Sequence, residues 1–77
     1  QSDVVTAQKS YEEALAIYRE LGHDKGVAAM LNNLAVLALE QHEYAKARTL
    51  LQDCIVLKRK LEDRDGLATS LINLSII

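Results

Sequence analysis

Apolar residues recur at three- and four-residue spacing along nearly the whole chain. The first run is Val4, Ala7, Tyr11, Ala14, Leu15, Tyr18 and Leu21, with Glu12, Glu13, Arg19 and Glu20 off the stripe. This predicts an amphipathic helix over about 2–21 with one buried face. Gly22 then fits a helix C-terminus, because glycine takes the left-handed conformation without strain. His23-Asp24 makes a short turn, with Asp24 expected as the cap of the next helix. That helix, about 25–41, contains Val27 to Leu39, which is apolar on nearly every side except at Asn32 and Asn33. A helix that is hydrophobic all round must be covered from more than one direction. His42-Glu43 is a short connection, so the third helix, about 44–61, should run antiparallel to the second. Its predicted stripe is Tyr44, Ala47, Leu51, Cys54, Ile55 and Leu61. Lys58, Arg59 and Lys60 are read as a solvated, dipole-favoured end. A fourth helix is expected from about Gly66 to Ile77, capped by Asp63 or Asp65.

The pattern repeats at an offset of forty. Lys25-Gly26-Val27-Ala28 returns as Asp65-Gly66-Leu67-Ala68, and Leu31-Asn32-Asn33-Leu34 as Leu71-Ile72-Asn73-Leu74. Ala7, Tyr11, Ala14, Leu15, Ile17, Arg19 and Leu21 match Ala47, Leu51, Cys54, Ile55, Leu57, Arg59 and Leu61. A helical period of this length means a solenoid. The expected fold class is all-α, an antiparallel helix-pair solenoid without strands.

Ala35, Ala47 and Cys54 sit where paired helices would come closest, surrounded by Leu31, Leu34, Tyr44 and Leu51. Alternating small and large residues interlock antiparallel helices. On these residues the chain resembles the tetratricopeptide repeat (TPR) family. Leu34-Ala35 falls on its Leu-Gly pair, Tyr44 on the aromatic that opens its second helix, and Ala47, Leu51 and Cys54 on its alanine, large apolar and second alanine positions. Leu31 stands for the usual Trp, Ala38 for a Tyr, and the closing proline is missing. The period exceeds the family's basic unit of about 34 residues. Longer repeats of this kind occur in kinesin light chains, which the Leu31 to Leu37 string resembles. The Leu21 to Ala28 turn is closer to arrays attached to bacterial signalling ATPases and transcription regulators. HEAT and armadillo repeats share the period, but the spacing of Ala47 and Cys54 favours TPR. The resemblance implies a segment of a right-handed superhelix: 2–22 as the second helix of one repeat, 25–62 as a complete pair, and 65–77 as the first helix of the next.

Composition narrows the function. A formal net charge of −2, without a basic stripe, speaks against nucleic acid. One cysteine makes no internal disulfide. The apolar run is too short to span a bilayer, so no membrane partner and a cytoplasmic location are expected. Cys54 lies on a buried stripe without an activating His, and reads as a small hydrophobe. His23 and His42, at opposite ends of one helix, are about 25 Å apart and share no metal. Asp63-Arg64-Asp65-Gly66 fails the calcium-loop pattern, since its glycine is fourth and Leu74 stands twelfth. No cofactor and no catalytic or metal site is expected. Gly26 and Gly66 are read as letting each short helix start close against the preceding long one.

Asn33 and Asn73 are equivalent, mid-helix and flanked by apolar residues, although Asn is disfavoured there. The family resemblance places such residues in a concave groove, where an amide offers donors and an acceptor to an extended peptide. A structural hydrogen bond is the other reading. The same resemblance has Ala29, Asn32, Val36, Leu39 and Glu40 lining the groove, with Thr69, Ile72 and Ile76 from the next copy. A peptide- or helix-binding scaffold is therefore expected; a self-assembling structural segment and the regulatory arm of a larger signalling protein are the alternatives. The chain starts at Gln1 and ends inside an apolar pattern, so it reads as a piece of a longer array. Its open faces should be covered by flanking repeats or by copies of itself.

Overall fold

A computed structural model describes residues 2–77. It contains four helices: α1 (Ser2–Leu21), α2 (Asp24–Glu40), α3 (Tyr44–Lys60) and α4 (Arg64–Ile76). No strand occurs among the described residues, so the all-α expectation holds and the boundaries shift by only a residue or two. Each helix packs on the next in sequence, α1 on α2, α2 on α3 and α3 on α4. The molecule measures 36 × 30 × 17 Å. The thin dimension holds two layers of helices at the usual interaxial spacing. Cys54 of α3 fixes the arrangement: its thiol donates to the Ala28 carbonyl of α2 and meets Ser70 Oγ of α4, each at 3.4 Å. Hence α3 lies across both α2 and α4.

The core is built where the sequence put its small residues. Ala28, Ala35, Ala38, Ala47 and Cys54 are fully or almost fully buried, together with Leu15, Val27, Leu31, Leu34 and Leu51. Tyr11, Tyr18, Met30, Leu50 and Leu57 pack around this cluster. The predicted stripes run further than the burial does. Leu21, Tyr44 and Leu61 are exposed, because each stands at a helix end beyond the reach of the neighbouring helix. Tyr44 instead takes a hydrogen bond at 2.8 Å with His42 Nδ1.

The three turns are copies of one another at a spacing of twenty residues. Gly22, His42 and Glu62 all take positive φ, at 65°, 60° and 56°. In each turn the residue after it donates back to the helix, His23 to Tyr18 O, Glu43 to Ala38 O and Asp63 to Lys58 O, at 2.8–3.0 Å. The positive-φ residue itself donates to Arg19, Leu39 or Arg59 O. This double bond pattern is the Schellman motif, which satisfies the last carbonyls of a helix. The sequence supplied glycine at only one of the three positions.

The N-terminal sides of the turns correct one expectation. The cap of α2 is His23, not Asp24: the ring Nδ1 accepts from Gly26 N–H at 2.8 Å, so the ring proton sits on Nε2. Asp24 enters the helix and pairs with Lys60 of α3 at 2.9 Å. The cap of α4 is Asp63, whose Oδ1 accepts from Gly66 N–H at 3.0 Å. Glu43 caps α3 through its backbone alone. Gly26 has the role expected of it, since a Cβ there would come within 2.5 Å of the Tyr18 ring.

The left-handed conformation strains a side chain with a Cβ. Glu62→Gly should therefore stabilise the chain by about 0.5–1 kcal/mol, the relief of strain exceeding glycine's extra entropy in the unfolded state. His42→Gly should gain less, because it also loses the bond to Tyr44. Gly22→Ala should destabilise. Thermal melts of the three variants check the order.

Candidate partner-binding face

Ala29, Asn32, Asn33, Val36, Leu39 and Glu40 all lie on α2, and Thr69, Ile72, Asn73 and Ile76 occupy the matching positions of α4. At 100° per residue they form one face of each helix, opposite the stripe of Val27, Leu31, Leu34 and Ala38 that enters the core. The two helices are brought side by side by α3. Ala29, Val36, Glu40, Thr69, Ile72 and Ile76 are exposed, whereas Asn32, Asn33, Leu39 and Asn73 are half-buried. Ile72 and Ile76 are each 63% exposed, so the face is more apolar towards α4. Glu40 is the single ionisable group among the ten residues. Thr69 is already engaged, its hydroxyl bonding the Asp65 carbonyl of its own helix at 3.1 Å.

Asn32 was expected here only as a lining residue, yet it carries the more pointed chemistry. Its Oδ1 is buried without a hydrogen-bond partner. A buried acceptor left unmade costs about 1–3 kcal/mol. The equivalent position in the next copy is Ile72, which has no such demand. The bare sequence drew attention to Asn33 and Asn73 because they repeat; the orphaned atom belongs to the asparagine that does not.

At the turn end of the molecule, a charged cluster replaces an aromatic one. The Tyr18 and His23 rings meet at a tilt of 38° with centroids 5.2 Å apart. Their counterparts forty residues on are Lys58 and Asp63, an ion pair at 3.0 Å. Both pairs cover the glycine that starts the following helix, Gly26 or Gly66. Lys58 and Lys60 thus form ion pairs, while Arg59 and Lys60 remain exposed as a solvated end. A single sequence shows this only when positions 18 and 23 are read as a pair against 58 and 63. Ser70, almost fully buried against Cys54, was also missed, since a lone serine in an apolar helix carries no distinguishing pattern.

Cys54 is buried. No cluster of three or more His, Cys, Asp or Glu that could hold a metal occurs among the described residues. No helix of the described residues is long and apolar enough to cross a membrane.

The tetratricopeptide repeat family model matches residues 1–60 and again 26–77, which together span the chain. The chain belongs to the tetratricopeptide repeat family. No curated protein and no solved structure matches it. Repeats of this family are in general protein–protein interaction modules, typically scaffolds rather than enzymes.

Asp63 provides a pH test of the turn. The Gly66 N–H bond, then the Lys58 bond and the charges of Lys58 and Lys25, hold its carboxyl below the usual value, against a smaller opposing effect of burial. A carboxyl whose folded-state pKa is depressed stabilises above its unfolded value and loses that contribution as pH falls through the folded one. The wild-type chain should therefore lose more stability below about pH 4 than Asp63→Asn, which keeps the cap and removes the charge. Urea melts at neutral and acid pH measure the difference.

Proposed function

We propose that the joint face of α2 and α4 holds an extended segment of a partner protein, with Asn33 and Asn73 bonding its backbone and Val36, Ile72 and Ile76 taking its apolar side chains. The observation that carries this reading is that the half-buried amides of Asn33 and Asn73 stand beside apolar residues that remain open to water. A main-chain partner suits a lining in which amides alternate with apolar residues and nearly all charge is absent. One carboxylate at Glu40 favours a partner segment that is neutral or basic at that end.

A peptide selected by display against the chain serves as the probe. Asn33→Ala combined with Asn73→Ala should leave the melting temperature nearly unchanged and weaken the peptide about tenfold, the worth of two hydrogen bonds. A large loss of stability with intact binding would return both residues to a structural role. Asn32→Leu should raise the melting temperature, since it removes an orphaned buried acceptor.

A further inference from the structure

The contact between α2 and α3 occurs once in this chain as a finished interface and once more as two separated halves. In the finished one, Leu31 of α2 is 2% exposed, in a cluster with Cys54 against which Leu57 packs. Forty residues on, Leu71 of α4 is 41% exposed, because the substantial packing of α4 is against α3 alone. The complementary half lies on α1, whose substantial packing is against α2 alone. Ile17, the counterpart of the partly buried Leu57, is 51% exposed there.

Charge identifies what fits. The finished interface is tied at its turn end by Lys60 of α3 and Asp24 of α2, 2.9 Å apart. Their counterparts are Glu20 on α1 and Arg64 on α4, so both signs are reversed. Glu20 and Arg64 are exposed, and neither forms an ion pair among the described residues. A helix with the sequence of α3 laid on α4 would set a lysine against Arg64. A helix with the sequence of α1 sets Glu20 there.

We infer that α4 of one molecule receives α1 of a second copy in the place that α3 takes on α2, with Glu20 paired to Arg64, so that the 77-residue chains associate head to tail. The two surfaces are different patches, so the contact is heterologous and continues the solenoid instead of closing a twofold dimer. It does not involve the amide face, and it stands or falls independently of peptide binding.

Sedimentation of the 77-residue chain across a micromolar concentration series at low salt tests this, with far-ultraviolet circular dichroism confirming that each sample is helical. The weight-average mass should rise with concentration. Glu20→Arg and Arg64→Glu lie on exposed positions and should each weaken association about three- to tenfold, the scale of an exposed ion pair converted to repulsion. Mixing the two variants in equal amounts should restore it, since every junction between unlike chains then joins opposite charges. A helical monomer throughout the series would overturn the inference. So would association that single reversals leave unchanged, or a mixture no better than its components.

Discussion

The structure depends on how closely α3 approaches its two neighbours at Cys54. The side chain there is fully buried, and its sulfur touches a carbonyl of α2 and a hydroxyl of α4 at once. Only a small residue permits that distance, and the weakly polar thiol meets both groups. Ala28 and Ala47, both fully buried, allow the same approach further along the α2–α3 seam. Because α3 bridges the other layer, α2 and α4 are held side by side. The face they form together follows from that contact and not from direct packing between them.

Closeness at the seam puts a constraint on the turns. Each must reverse the chain within two or three residues while satisfying both the outgoing carbonyls and the incoming N–H groups. The backbone solution is the same all three times, with a left-handed residue and a return bond to the helix. The side-chain solutions differ. A histidine ring and a tyrosine guard the first helix start, while an aspartate and a lysine guard the third. Geometry is what the repeat preserves, and chemically unlike pairs fill it equally well.

The surfaces left over divide into two kinds. The amide face of α2 and α4 is open because the layer ends there. The outer sides of α1 and α4 are open for another reason: each lacks the neighbour that the same helix type has elsewhere in the chain. In a solenoid the two kinds serve different contacts, lateral recognition in one case and axial continuation in the other.

The helices, their order, the period and the core alanines were legible from the sequence, since three-and-four spacing and a forty-residue match are local or nearly local signals. The face bearing Asn33 and Asn73 was legible in the same way, as a register on two helices. Other features required the chain to be folded. His23 rather than Asp24 caps α2, because the choice turns on which side chain reaches Gly26 N–H. Leu21 and Tyr44 leave the core because a stripe says nothing of how far a neighbour extends. The orphaned oxygen of Asn32 and the pairing of Lys60 with Asp24 arise between helices, where distance along the chain no longer measures distance in space. Sequence set which residues face inward; tertiary packing decided which of them found a partner.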